Sequence, residues 1–116
     1  MHEMALMGDI LNIIIEDAEQ KGIKQFNKIE LLVGELSNAM PDALEMAFAI
    51  YKEQNPQLFS DNASLHIEHE EALSECVFCQ TRYKPDLKIS ICPSCNMPSG
   101  KLISGETFQV LSYEGD

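Results

Sequence analysis

The chain has 116 residues, 45% of them hydrophobic, with 19 acidic and 8 basic side chains and a formal net charge of −11 at pH 7. This length fits one ordinary domain, or one small domain plus a metal-stabilised module too short to bury its own core; we favour the second. The excess of acids argues against nucleic acid as a partner, because such binding depends on Lys and Arg contacts to phosphates. An acidic chain suits a cationic ligand or a basic protein surface.

Several other classes of protein are disfavoured by the sequence. No apolar run is long enough to span a membrane, and Met1-His2-Glu3 lacks the basic start and apolar stretch of a signal peptide. We therefore expect a cytoplasmic protein with reduced thiols. An enzyme is the least expected class, because the sequence has no Ser/His/Asp or Cys/His arrangement and no Gly-rich phosphate loop.

A helical pattern opens the chain. Residues 4 to 20 carry an apolar stripe of Met4, Met7, Leu11, Ile14 and Ala18, widened by Ile10 and Ile13. These methionines are interpreted as packing residues and not as metal ligands, since they lie at core spacing. Residues 28 to 36 then alternate with a period of two, which predicts a strand with Ile29, Leu31 and Val33 on its buried face.

A second helix and two more strands are predicted further along. Pro41 suits the first turn of a helix whose apolar face is Leu44, Ala47, Phe48 and Tyr51 and which ends before Asn55-Pro56. Residues 64 to 71 alternate again, with polar His66, Glu68 and Glu70 on a face that we interpret as ordinary solvated sheet surface. His69 is expected to be half-buried. Residues 106 to 114 form the third predicted strand.

All four cysteines lie in two short motifs, Cys76-Val77-Phe78-Cys79 and Cys92-Pro93-Ser94-Cys95, with twelve residues between them. Four soft thiolates in two such pairs can converge on one tetrahedral ion, which is typical of structural zinc. Because four thiolates leave no open coordination position, the site is predicted to be structural and not catalytic.

Paired cysteines also occur in three other kinds of site. Disulfides need an oxidising compartment, which nothing in the sequence suggests. A thioredoxin-like redox pair would place a single motif where a strand meets a helix, whereas this chain has two. Iron in a four-sulfur site is not excluded by the spacing alone. Between the motifs, a turn at Lys84-Pro85-Asp86 is predicted, flanked by short strands at residues 81 to 83 and 87 to 91.

The predicted fold is α+β: two helices packed on a three-stranded sheet, with an inserted four-cysteine zinc-ribbon domain. The expected boundaries place residues 1–72 and 101–116 in one α/β domain and residues 73–100 in the ribbon. By count, the ribbon is nearly neutral, with three bases and two acids, so the remaining residues carry 17 acids and 5 bases.

His2 is the residue that this architecture leaves unexplained. The free terminal amine, the backbone nitrogen of His2 and its imidazole can close fused chelate rings on one ion. With the amide of Glu3 also deprotonated, four nitrogens lie roughly in a plane, the geometry preferred by Ni(II) or Cu(II). Taken alone this signal is weak, since any chain can carry His at its second position.

Several motifs together resemble the HypA/HybF family of hydrogenase nickel-incorporation proteins. They are the opening Met1-His2-Glu3-Met4, the strand end Gly34-Glu35-Leu36-Ser37, the run Leu65-His66-Ile67-Glu68 and the two cysteine pairs. The resemblance covers essentially the whole chain. It implies a small two-domain metallochaperone that works with a partner GTPase, HypB-like, to deliver Ni(II) to the large subunit of NiFe hydrogenase.

By the same resemblance, individual residues acquire expected roles. His2 is the principal nickel ligand, with the amine of Met1 and the amide nitrogen of Glu3 beside it, and Cys76, Cys79, Cys92 and Cys95 are zinc ligands. Nickel is then the cargo and zinc the structural ion, and a homodimer is possible. Some family members carry histidines next to the cysteine pairs; here Gln80, Thr81 and Asn96 occupy those neighbouring positions, which puts coupling of the two metals through such a ligand in doubt.

Two classes of function remain open from the sequence. The first is a nickel chaperone, which is not an enzyme. The second is a zinc-ribbon adaptor that binds protein or nucleic acid and carries no transition-metal cargo. Nickel titration of untagged protein separates the two.

Overall fold

A computed structural model describes residues 2–85 and 91–116 of the chain. Within these residues, two helices and six strands follow one another: α1 (His2–Gln20), β1 (Phe26–Gly34), α2 (Pro41–Gln54), β2 (Phe59–Glu70), β3 (Leu73–Cys76), β4 (Arg82–Tyr83), β5 (Gly100–Ser104) and β6 (Phe108–Gly115). The strands form two three-stranded sheets, in the orders β2-β1-β6 and β4-β3-β5.

The first sheet is built around β1. This strand pairs in parallel with β2 and antiparallel with β6. A parallel pair needs a crossover connection, and α2 supplies it. Because β1 is central and covered by the helices on one face, Ile29, Leu31 and Val33 are completely buried, as the alternating pattern predicted.

The two helices complete the core above this sheet. Helix α1 buries Met7, Ile10, Leu11, Ile14 and Ala18, and α2 buries Leu44, Ala47 and Phe48. The Phe48 and Phe59 rings meet edge to face at 5.4 Å between centroids, which joins α2 to the first residue of β2. The predicted α+β fold is confirmed. One core assignment was wrong: Ile13 is 65% exposed, because it lies outside the stripe that faces the sheet.

The three strands predicted at residues 28 to 36, 64 to 71 and 106 to 114 are all present, but their end residues differ from the predicted ones. β1 begins at Phe26 and β2 at Phe59, both earlier than the alternating pattern indicated, whereas β6 begins at Phe108. His69 pairs with Val33 near the end of β2 but is exposed, so its predicted half-burial was wrong. Among the strands of the described residues, β2 lies at one edge of this sheet.

The second sheet carries the cysteine motifs. β3 pairs antiparallel with β4 and with β5. Only the strand at residues 81 to 83 had been predicted here; β3 and β5 were not. The predicted strand at residues 87 to 91 lies outside the described residues except for Ile91. In the second sheet, β5 continues to Ser104, past the proposed boundary at residue 101. The proposed domain boundaries at residues 72 and 101 stay predictions.

The chain passes between the two sheets at a closely packed junction near the end of β1. The Leu36 N–H donates to the Gly105 carbonyl at 2.7 Å, and the Gly34 N–H donates to the Thr107 carbonyl at 2.6 Å. Gly105 has φ +112°, and a Cβ there would come within 2.6 Å of Ala72 Cα. Glycine is therefore required at this position both by backbone conformation and by space.

Among the described residues, neither helix has the length and apolar character needed to cross a membrane.

Candidate metal centres

The two cysteine motifs fold into equivalent turns. In the first, the Gln80 N–H donates to the Cys76 carbonyl at 2.9 Å; in the second, the Asn96 N–H donates to the Cys92 carbonyl at 2.8 Å. Gln80 and Asn96 both have a left-handed backbone, with φ of 64° and 57° respectively. Asn tolerates this conformation well, whereas Gln adopts it less often.

Backbone N–H groups point at the first sulfur of each turn. Cys76 Sγ accepts hydrogen bonds from the Phe78 and Cys79 amides, each at 3.4 Å. Cys92 Sγ accepts one from the Cys95 amide at 3.4 Å. Amide hydrogen bonds of this kind stabilise the thiolate form, which is the form that binds a metal.

The four sulfurs converge with the spacing of a tetrahedral site. Cys76 Sγ lies 3.9 Å from Cys95 Sγ, and Cys79 Sγ lies 3.6 Å from Cys92 Sγ. Thiolates bound to zinc at about 2.3 Å would be roughly 3.8 Å apart. A disulfide would require a sulfur separation of about 2.0 Å. The four thiols are therefore free, and their donor set fits one tetrahedral ion.

The sulfurs do not share one pKa. Amide hydrogen bonds from Cys79, followed by the Ser99 hydroxyl, lower the pKa of Cys76 to about 6. The Thr81 hydroxyl and amide lower the pKa of Cys79. The neighbouring sulfurs, Cys79 first, raise the pKa of Cys95 to about 12. Four thiolates this close repel one another, so loss of the last proton requires a cation among them.

The residues predicted to bind nickel lie at the start of α1. His2 is the first residue of the helix and is exposed, and Glu3 belongs to its first turn. Met1 lies outside the described residues. The Glu3 carboxylate accepts a hydrogen bond from the Met40 N–H at 3.3 Å, which ties the beginning of α1 to the beginning of α2.

Within the described part of the chain, the four cysteines form the group of potential metal ligands that the fold gathers. His66 and His69 on β2 are not members of it. The sequence did not identify the hydroxyls of Thr81 and Ser99 as neighbours of the sulfurs. Ser99 directly precedes β5 and lies 23 positions along the chain from Cys76. For Thr81 the only signal was its position two residues after Cys79.

Comparisons with known proteins agree with this arrangement. The family model described as HypA, hydrogenase/urease nickel incorporation, metallochaperone, matches residues 1–115. The hydrogenase maturation factor HypA of Moorella thermoacetica is 35% identical over 116 residues, with 100% of both chains covered. That of Chloroflexus aggregans is 31% identical over 115 residues, with 98% of each chain covered.

Two solved structures share the fold. A solution structure of a HypA protein has a TM-score of 0.67 at 24% identity and covers 99% of this chain and 96% of its own. The solution structure of the Ni metallochaperone HypA from Helicobacter pylori has a TM-score of 0.63 at 22% identity and covers 97% of this chain and 96% of its own. Because the family match and the curated relatives extend from one end of the chain to the other, the chain belongs to the HypA family of hydrogenase and urease nickel-incorporation metallochaperones.

Proposed function

We propose that this chain is a nickel chaperone that binds Ni(II) as cargo at its N-terminus and keeps Zn(II) as a resident structural ion in the four-cysteine site. With a HypB-like partner GTPase, it delivers the nickel to the large subunit of NiFe hydrogenase. The family match over residues 1–115 carries this proposal. The protein is not an enzyme, and nucleotide hydrolysis belongs to the partner.

The proposed zinc ligands are Cys76, Cys79, Cys92 and Cys95. Their sulfurs lie within 4.8 Å of one another, as a closed four-sulfur shell requires. Zinc bound there joins the two turns and leaves no position open for a substrate. Its role is to hold the second sheet together, since so small a module has little apolar core of its own. The proposed division of the chain follows: residues 73–100 form the zinc ribbon, and residues 1–72 and 101–116 form the nickel-binding domain.

The beginning of α1 supports the proposed nickel ligands. The first four N–H groups of a helix have no carbonyl partner within it. Deprotonation of the His2 and Glu3 amides therefore breaks no hydrogen bond of the helix. The Glu3 carboxylate is already engaged by the Met40 N–H, which leaves its backbone nitrogen as the donor. The amine of Met1 and the imidazole of His2 complete the set.

Electrostatics at the helix start favour this chelate over a simple histidine site. The N-terminus of a helix carries a partial positive charge, which disfavours a bare divalent cation. Two deprotonated amides cancel the charge of Ni(II), so the complex presents no net charge to the helix. A planar four-nitrogen site is also the geometry that suits Ni(II).

The remaining parts of the proposal concern surroundings and partners. The four-cysteine site calls for a compartment that keeps thiols reduced, and we assign the protein to the cytoplasm. Its net charge of −11 favours protein partners over nucleic acid, and no membrane partner is proposed. A homodimer is compatible with this function.

The decisive experiment compares protein that starts at the native Met1 with protein extended by a few residues ahead of Met1. The extension converts the terminal amine into an amide and leaves every side chain unchanged. We expect the native protein to bind one equivalent of Ni(II) with the absorption of a planar nitrogen site, and the extended protein to lose that binding while retaining zinc.

Two variants control this comparison. His2→Ala should behave like the extended protein, whereas His66→Ala should bind nickel normally, because His66 is an exposed residue of β2 and is not one of the proposed ligands. Equal nickel affinity and equal spectra for the native and extended proteins would show that the amine is not a ligand.

A further inference from the structure

Two side-chain hydroxyls lie against the sulfurs of the first cysteine turn. Ser99 Oγ is 3.1 Å from Cys76 Sγ, where either atom can donate, and the neutral Cys79 thiol donates to Thr81 Oγ1 at 3.2 Å. Both hydroxyl-bearing residues are half-buried. These distances match hydrogen bonds to sulfur, so each hydroxyl is placed where it can donate to a thiolate.

Backbone hydrogen bonds hold both hydroxyls in place. The Cys76 N–H donates to the Thr81 carbonyl at 2.9 Å, and the Val77 N–H donates to the Ser99 carbonyl at 3.0 Å. These two main-chain hydrogen bonds thus attach Thr81 and Ser99 to the first turn. In the folded turn, these main-chain hydrogen bonds orient both hydroxyls toward the sulfurs.

Each hydroxyl has one proton and a competing acceptor. Ser99 Oγ lies 3.4 Å from the Met97 carbonyl, and Thr81 Oγ1 lies 3.5 Å from Ser94 Oγ. In both, the sulfur is the nearer acceptor. A thiolate is also charged, and hydrogen bonds to ionised acceptors are about twice as strong as those between neutral groups. When the sulfurs are ionised, the Thr81 hydroxyl therefore donates its hydrogen bond to Cys79 Sγ, and the Ser99 hydroxyl donates to Cys76 Sγ. The Ser94 hydroxyl can then donate to Thr81 Oγ1.

We propose that Thr81 and Ser99 are positioning residues of the metal site, whose hydroxyls donate to the Cys79 and Cys76 thiolates and thereby slow the loss of zinc. This inference rests on the proposed zinc site. Partners of metal ligands orient those ligands and raise the affinity for the ion. A donated hydrogen bond also draws electron density from the sulfur, which makes the bound thiolate a poorer nucleophile.

The test uses purified full-length protein and paired variants. Ser99→Ala and Thr81→Val remove each hydroxyl, whereas Ser99→Thr and Thr81→Ser retain it. The first readout is the rate of zinc transfer to a chromogenic chelator. We expect about a 10-fold faster transfer for each variant that lacks a hydroxyl, the lower end of the range for partners of metal ligands. The hydroxyl-retaining variants should stay near the wild-type rate.

The second readout is the sulfur-to-metal charge-transfer band of Co(II)-substituted protein. A hydrogen bond lowers the energy of the sulfur lone pair, so its removal should move the band to longer wavelength in Ser99→Ala and Thr81→Val. Simple loosening of the fold would not produce this shift together with rescue by Thr or Ser. Ser94→Ala is the matched control, since Ser94 lies at the same end of the ribbon and makes its described contact with Thr81.

The outcomes are distinguishable. Wild-type protein without stoichiometric zinc would overturn the proposed function. Wild-type protein that holds zinc, with unchanged transfer rates and unchanged cobalt spectra in Ser99→Ala and Thr81→Val, would overturn the inference and leave the proposed function standing. Equal effects of Ser99→Ala and Ser99→Thr, or of Thr81→Val and Thr81→Ser, would assign the effect to packing and also overturn it.

Discussion

Lys84 Nζ lies 2.5 Å from Glu35 Oε1, so an ion pair joins the segment that follows β4 to the turn that follows β1. The same carboxylate oxygen accepts a hydrogen bond from the Ala72 N–H at 2.8 Å. Glu35 therefore contacts Ala72, where the chain enters the second sheet, and also Lys84, which directly follows β4 of that sheet. Together, the Lys84 ion pair and the Ala72 N–H lower the pKa of Glu35.

These two contacts of Glu35 should contribute differently. The ion pair is exposed, at 59% for Lys84 and 31% for Glu35, so water and salt screen it. The hydrogen bond to Ala72, a buried residue, is screened less. We expect Glu35→Ala to accelerate hydrogen exchange of the Ala72 amide strongly and Lys84→Met to accelerate it little, measured by NMR. Equal acceleration in both variants would mean that the ion pair is the main restraint.

A second carboxylate at the junction predicts a pH dependence. Glu70 Oε1 accepts hydrogen bonds from the Gly105 amide at 2.7 Å and the Thr107 amide at 3.3 Å, and the Gly105 amide is the main cause of its lowered pKa. A lowered pKa in the folded state means stabilisation that is present above the unfolded pKa of about 4.3 and is lost as the pH falls through the folded pKa.

Comparison of wild type with Glu70→Gln isolates this effect, because Gln retains an acceptor oxygen and lacks the charge. The difference in the free energy of unfolding between the two proteins should be largest near neutral pH and shrink in acid. Urea unfolding at several pH values measures the difference, and NMR titration of the Glu70 carboxyl carbon measures the pKa directly. A difference that is constant with pH would contradict the assignment.

Gly105 should tolerate no side chain. Its φ of +112° is strained for other residues, and an added Cβ would come within 2.6 Å of Ala72 Cα. We expect Gly105→Ala to lower the free energy of unfolding by at least about 1–3 kcal/mol. Gly22→Ala is the matched control, because Gly22 also has a positive φ, of +74°, but nothing lies within 4 Å of its Cβ position.

The control should cost about 1 kcal/mol, since it introduces the left-handed backbone strain without a collision. Chemical denaturation of both variants separates the two terms. If Gly105→Ala cost no more than Gly22→Ala, the junction would be able to widen around the new methyl group.

Loss of one cysteine should disorder the second sheet and spare the first. Cys92 is a buried member of the four-sulfur group, and the first sheet has a core built from α1, α2 and β1 that contains none of the cysteines. We expect Cys92→Ala to release zinc and to collapse the amide dispersion of β3, β4 and β5 in NMR spectra, while the amides of β1 stay protected from exchange. Stoichiometric zinc and an ordered second sheet in this variant would contradict a structural role for the site.

Local patterns in the sequence were sufficient to predict the two helices, the central strand and the four-sulfur group. Apolar residues at helical spacing located α1 and α2, and a period of two located β1, because each signal is contained within one element. The spacing of the two cysteine pairs predicted a four-sulfur group, since a turn of this length brings its two thiols to one side. The resemblance of Met1-His2-Glu3 and the cysteine motifs to one family predicted a nickel site at the N-terminus.

Tertiary structure alone decided how these pieces meet. The parallel pairing of β1 with β2, the central place of β1 and the second sheet of β3, β4 and β5 depend on residues far apart in the chain, and strands as short as Arg82–Tyr83 carry almost no periodicity of their own. The same is true of the Lys84–Glu35 ion pair and of Ser99 beside Cys76, which join residues separated by 49 and 23 positions. Sequence patterns record which face of an element is apolar, whereas partners across a sheet or a metal site are selected by the packing of the whole chain.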